Sequence, residues 1–201
     1  MFGLPVTTAI NQPLSKKAVF EKFNLKASER ERFDADISKM VLVHRIDAET
    51  IPAVQCGKEV ESIWVLAVML KKQNYNPKNI EMLFKLIPQR MILDLQFGDE
   101  TQLAAFDGMM VTSSWQETEE HQLALKGIDL DSVWNNLVAQ VANVVVVEGK
   151  DVREQIEENA RHEALQKKIA TLESKARKEP QRHRKKELYN EILKLKTNLT
   201  K

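Results

Sequence analysis

Up to residue 39, apolar positions recur at helical spacing in two short runs. In LSKKAVFEKF, Ser15 stands where an N-cap is wanted, and a second run opens at Ala27-Ser28 and ends near Lys39. MVLVHRI (40–46) is short and rich in β-branched residues, which predicts a strand. EVESIWVLAVML (59–70) alternates poorly and predicts a longer, mostly buried strand. Pro77 fits the first turn of a helix with Ile80, Leu83, Phe84 and Ile87 on one face.

After Pro88 the pattern becomes a meander. MILDLQF (91–97), TQLAAF (101–106) and MMVTSSW (109–115) are separated by Gly98-Asp99 and Asp107-Gly108, residues that accept the positive φ of tight hairpins. HQLALK (121–126) reads as a further strand. Asp131 is placed to cap a helix with an apolar stripe of Val133, Trp134, Leu137, Val138, Val141, Val144 and Val145. The body is therefore α+β, a mixed or antiparallel sheet with flanking helices.

From Lys150 onward turn chemistry is nearly absent until Pro180. Leu165, Ile169, Leu172 and Ala176 follow heptad spacing, a seam that needs a partner surface. Leu188, Ile192, Leu195 and Leu199 repeat it in another phase. Between the two sets the apolar residues vanish and Pro180 stands, where a helix interior would lose a hydrogen bond and about 3 kcal/mol. A C-terminal helical hairpin bent near Pro180 satisfies both facts. One long bent helix in a coiled-coil oligomer is the competitor. The expected division is a globular domain over 1–149 and a basic helical segment over 150–201.

Charge sharpens that division. The 201-residue chain has a net charge of +1, yet residues 1–160 hold 17 basic and 24 acidic side chains, against 13 and 5 in residues 161–201. An acidic body with a basic tail points to nucleic acid or an acidic partner. Arg182, Arg184, Lys185 and Lys186 are the candidate phosphate contacts; the plainer reading of such a run is a solvated helix face. Cys56 is the single cysteine, so no internal disulfide or Cys-based zinc site forms. MFGLPVTTAINQPLSKK lacks the form of a signal peptide, and VANVVVV (141–147) is too short to span a bilayer. The expectation is a cytoplasmic protein without a membrane contact.

Catalytic motifs are scarce. His44, His121, His162 and His183 never pair at metal-ligand spacing, so neither a metal nor a cofactor is expected. The six glycines form no phosphate loop, and Ser113-Ser114 lacks a nucleophile elbow. Trp64 and Trp134 lie on apolar faces and belong to the core, while Trp115, ending a strand, is placed to reach the surface. The segment 14–33 reads as half a helix-turn-helix with Lys16, Lys17, Lys22 and Lys26 toward phosphate, although Glu21, Glu29 and Glu31 dilute its field.

The tail LQKKIATLESKARKEPQRHRKKELYNEILKLKTNL, through Lys178, Glu179, Gln181, Arg184, Lys185, Glu187, Leu188 and Asn190, resembles the C-terminal signature of bacterial domain-of-unknown-function family 4391. LSKKAVFEKF, EVESIWVLAVML, IPQRMILDLQF, SSW and GIDLDSVWNNLVAQV follow in the family's order, so the resemblance covers nearly the whole chain. It departs at Pro180, where lysine is usual, and Tyr189 is inserted before the asparagine. What the resemblance implies is a place beside helicase and DNA-methyltransferase genes of restriction-like or antiphage systems, hence helicase or methyltransferase subunits as protein partners.

Two functions of different class follow. The first is a non-enzymatic adaptor that docks through its body and through Leu165, Ile169, Leu172, Leu188, Ile192 and Leu195, a seam available to a second copy, to a partner, or to the hairpin's own closure. Arg182, Arg184, Lys185 and Lys186 would add nucleic-acid contacts. The second is a metal-dependent nuclease of restriction-type fold, or its inactive descendant, with Glu59 and Glu61 on one face of the long strand and Asp94 on a later one. Such a site needs converging carboxylates and a nearby lysine. No lysine follows Glu61 at the required spacing; only Lys58 or Lys71 is near. The adaptor is the favoured reading.

Overall fold

The computed structural model describes residues 2–145 and 152–199. It divides into two compact units, Met1–Val147 and Glu148–Lys201. The expected 149/150 boundary and the last two valines of the apolar run lie outside the described residues.

The first unit is built on a sheet of order β1-β2-β3-β4-β5-β6, with β7 on β5. Its strands are β1 (Ala9–Leu14), β2 (Ile37–Ile46), β3 (Ile63–Leu70), β4 (Arg90–Phe97), β5 (Glu100–Asp107), β6 (Met109–Thr112) and β7 (Gln116–Glu117). β3 and β4 run parallel, and every other pairing is antiparallel. The parallel pair requires a crossover, which α3 (Pro77–Phe84) supplies. One face of the sheet packs Leu42, Leu66, Val68, Met91, Leu93 and Leu95 against Val19 of α1 (Lys16–Lys22), Phe33 of α2 (Ala27–Asp36), and Ile80 and Leu83 of α3. On the other side, α4 (Leu130–Val141) contacts β5 and β6 and buries Val133, Trp134, Leu137, Val138 and Val141. A strand covered on both faces loses its alternation, which is why IWVLAVML and MILDL read as nearly continuous apolar runs.

Several expectations stand. Ser15 accepts from the Lys17 N–H, and Pro77 stands at the first position of α3. Gly98 and Gly108 turn the meander at φ of 62° and 76°. Others are corrected. The long strand starts at Ile63, so residues 59–62 precede it. α2 stops at Asp36 and β2 begins at Ile37, earlier than the pattern suggested. HQLALK forms no strand; β7 is the extra pairing instead. Asp129, not Asp131, caps α4, accepting from the Ser132 N–H at 2.8 Å. Val144 and Val145 lie beyond that helix, with Val145 exposed. Trp115 is half-buried, packed against the core with part of its surface open. β1 was absent from the sequence pattern: its residues are exposed or half-buried, Asn11 has φ of 49°, and a register shift separates Ala9 from Gln12.

The helix layer is tied to the sheet by Asp36, 2% exposed at the end of α2. Its carboxylate takes Lys72 Nζ at 2.8 Å, the Asn76 N–H at 2.8 Å and the Asn79 side-chain amide at 2.7 Å. Its carbonyl takes the Lys71 N–H at 2.8 Å. Burial would raise the carboxyl's pKa, but the bonds from Lys72, Asn76 and Asn79 hold it below the ordinary value.

The second unit is a hairpin of α5 (Val152–Lys178) and α6 (Arg182–Leu199), joined by Glu179, Pro180 and Gln181. Its 27 and 18 residues span about 40 and 27 Å. Ile169, Leu172, Ala176 and Ile192 form its core, with Leu188 and Leu195 packed alongside. Lys168–Glu191 at 3.4 Å and Lys196–Glu173 at 2.8 Å join the helices at their margins. Hairpin closure, rather than one long bent helix, resolves the change of heptad phase.

Replacing Asp36 with alanine takes the acceptor from the Asn76 N–H and leaves the Asn79 amide only its 3.4 Å contact to the Arg32 carbonyl, and should cost at least about 2 kcal/mol in urea unfolding at pH 7. Because the folded pKa is lowered, the carboxylate's contribution is present above the unfolded value and fades as pH falls through the folded one. The gap between wild type and Asp36→Asn should accordingly shrink on acidification; a gap independent of pH would remove the charge from the explanation.

Candidate functional site

Two helix ends meet at the hairpin's bend. α5 finishes on Lys175, Arg177 and Lys178, cations suited to the negative end of a helix dipole. α6 opens with Arg182, followed by Arg184, Lys185 and Lys186, and has no acidic residue in its first turn. That is the wrong sign for a helix N-terminus, where unpaired N–H groups already present positive charge. Arg182 and Arg184, in that first turn, work against the helix that carries them, so local stability does not account for their placement.

Arg182, Arg184 and Lys186 are exposed, and Lys185 is half-buried. Among the described residues, none of the seven cations at the bend lies within ion-pair distance of a carboxylate. Further down the hairpin the lysines are matched: Lys167 with Glu163 at 3.8 Å, Lys168 with Glu191, and Lys196 with Glu173. The Lys196 hydrogen bond and charge hold Glu173 below the ordinary carboxylate range. At the bend the carboxylates are turned to other work. Glu179 accepts from the Gln181 N–H at 3.0 Å, and Glu187 lies 3.4 Å from His183 Nδ1. A cleft of about 570 Å³ is lined by Lys175, Lys178 and Arg184 but also by Glu179, Glu187 and Glu191. Its charges balance, and Arg177 acts on Glu173, so the excess lies on the outer surface with Arg182, Lys185 and Lys186.

Of the expected seam residues, Ile169, Leu172 and Ile192 are buried, while Leu188 and Leu195 pack at the margin. Leu165 is half-buried, outside that cluster. The seam is occupied by the hairpin's own closure. Lys175 and Arg177 were not singled out in the sequence, where Pro180 separates them from the later run; the hairpin brings the two sets to one end.

The nuclease carboxylates do not share a strand face. Glu59 and Glu61 sit exposed before β3, whereas Asp94 is fully buried inside β4, paired across to Ala67 and Leu103. The physical reason is Asp131. Its carboxylate receives the N–H groups of Lys58, Glu59 and Val60 at 2.7, 3.2 and 2.9 Å, holding that stretch as a loop against α4. Gly57 is required there, since a Cβ would stand 2.3 Å from Asp131 Oδ1. Glu59 instead lies 3.9 Å from Arg90, which pairs with buried Asp107 at 3.2 Å and covers the Trp134 ring. Among the described residues no group of three His, Cys, Asp or Glu side chains is arranged to hold a metal. Three of the four helix-turn-helix lysines are also engaged: Lys16 with Asp34 and the Ile37 carbonyl, Lys17 with Glu21, and Lys22 with the Leu86 carbonyl; Lys26 is exposed at the start of α2.

A family model described as "Domain of unknown function (DUF4391)" matches residues 2–199. No curated protein and no solved structure matches. No helix among the described residues is long and apolar enough to cross a membrane.

Asp94 carries a second test. Burial pushes its carboxyl up to about 7, with a hydrogen bond from Gln96 pulling the other way, and its Oδ1 has no partner. A folded pKa above the unfolded one contributes stability at low pH that is lost as pH rises through the folded value. Asp94→Asn should therefore stabilise the fold above pH 7, by up to about 4 kcal/mol, with the gain shrinking as pH falls toward 4. Denaturant unfolding across that range reads it; an equal gain at every pH would show that the carboxyl titrates alike in the folded and unfolded chain.

Proposed function

The chain belongs to the DUF4391 family, and we propose that it is a non-enzymatic accessory subunit of a DNA-processing complex, touching nucleic-acid phosphates through its hairpin tip. The observation that carries this reading is the set of cations at the bend without an ion-pair partner, two of which, Arg182 and Arg184, stand in the first turn where the α6 dipole opposes them. Phosphate oxygens would supply the missing counter-charge, and release of condensed counterions from the nucleic acid would supply much of the affinity. The neighbours that the family resemblance implies, helicase and methyltransferase subunits, make DNA the natural polyanion and make the body the docking element.

Contacts of this kind carry no sequence information by themselves. The tip holds the complex on the strand, and selection of a site falls to the partner. A nuclease reading finds no comparable support, because its three carboxylates sit in different surroundings.

Changing Arg182, Arg184, Lys185 and Lys186 together to glutamate tests the proposal. Fluorescence polarisation with labelled DNA at low salt should show at least about a hundredfold loss of affinity. Wild-type affinity should fall steeply with salt, with a log–log slope of about 0.7–0.9 per phosphate contacted. Hairpin stability should hold or rise, because acidic side chains suit a helix N-terminus. Unchanged affinity in a folded variant would remove the tip from the function.

A further inference from the structure

Beside its seam, α6 carries a second stripe. Arg182, Lys186, Tyr189 and Leu193 follow one another at spacings of four, three and four residues, so they lie in one line along the helix. The seam residues Leu188 and Ile192 stand one position earlier, about 100° around the helix. The second stripe is open: Tyr189 is 49% exposed and Leu193 69%. Among the described residues, Arg182 and Lys186 meet no carboxylate and the Tyr189 hydroxyl has no hydrogen-bond partner. A single exposed leucine needs no explanation. This face is selected by having an aromatic ring and an apolar side chain in line with two uncompensated cations.

That combination fits one class of ligand. A protein helix would match Tyr189 and Leu193 but would have to bring carboxylates at the right positions for both cations. A single nucleic-acid strand brings both features in every nucleotide, a phosphate and a flat apolar base. Duplex DNA is a poorer fit, because its bases are stacked on one another and hide their faces. In addition, α6 is backed by α5 along the seam, and two packed helices are broader than the roughly 12 Å major groove that admits one.

We propose that this face of α6 is a single-strand platform, in which Arg182 and Lys186 contact consecutive phosphates while an unpaired base stacks on Tyr189 and rests against Leu193. The inference relies on the phosphate-binding reading of the tip and narrows its ligand to unpaired nucleic acid. Stacking tolerates any base, so the platform would bind without sequence preference.

Fluorescence polarisation with labelled oligothymidylate and with a mixed-sequence duplex of equal length separates the two claims. The full chain should prefer the single strand. Tyr189→Ala should weaken single-strand binding at least about fivefold, leave the salt dependence unchanged and leave duplex binding unaltered. Tyr189→Phe should retain affinity, since the ring and not the hydroxyl is used. Circular dichroism should find both variants as helical as the parent. If Tyr189→Ala binds the single strand like the parent while the fourfold charge reversal abolishes binding, the platform is wrong and the phosphate contacts stand. A preference for duplex overturns the platform in the same way, and no binding to either ligand overturns both readings.

Discussion

A sheet covered on both faces leaves few places for charge, and Asp36 occupies one of them at a junction. It ends α2, so its carboxylate lies where the helix layer hands the chain to β2. The donors that it gathers come from the far end of β3 and the start of α3. The parallel pairing of β3 with β4 exists only because the chain crosses over through α3, and the entrance to that crossover is fixed by these bonds. An apolar residue at 36 would take the acceptor from the Asn76 N–H and leave the buried Asn79 amide with only a 3.4 Å contact to the Arg32 carbonyl. The negative charge is thus a requirement of the topology rather than a decoration on it.

Asp94 shows the opposite balance within the same sheet. Both carboxylates are buried, but Asp36 meets a lysine, a backbone N–H and an amide, while Asp94 meets Gln96 alone. One is driven below its ordinary pKa and the other raised to about 7. Burial alone does not determine what a carboxyl does; the donors aimed at it decide. The Asp94 carboxyl is therefore a cost that the body carries, and with Glu59 and Glu61 held on the outer loop it has no second carboxylate beside it to make a metal site.

Features set by local chemistry were legible in the sequence. Pro77, Gly98 and Gly108 dictate their own backbone, and the phase change around Pro180 required a bend whatever lay next to it. Features set by distant donors were not. Asp129 and Asp131 both satisfy the rules for a helix cap, and only the three N–H groups of residues 58–60 decide that Asp131 is engaged elsewhere. The same contact ends the apparent strand at its start, which is why Glu59 and Glu61 left the predicted face. β1 gave no signal because an edge strand with few buried side chains has no alternation to read, and its Pro13 fits an edge where a missing donor is harmless. At the tip, the sequence showed the cations but not their lack of partners. Pairing depends on which residues of α5 face α6, and the heptad phase alone does not give that.

The hairpin's economy bears on how such a tip could act. Its core is four buried side chains, and its matched ion pairs lie along the lower shaft, so little of its stability depends on the bend. Charges at the bend can then be spent on a ligand without loosening the hairpin. A handful of exposed cations gives only weak, salt-sensitive attachment. A contact of that strength becomes useful when another part of the same assembly already holds the strand nearby, because tethering turns the second contact into an intramolecular one at high effective concentration. A tip that binds weakly on its own and a body that docks to a larger partner are therefore one mechanism: the first is effective only because of the second.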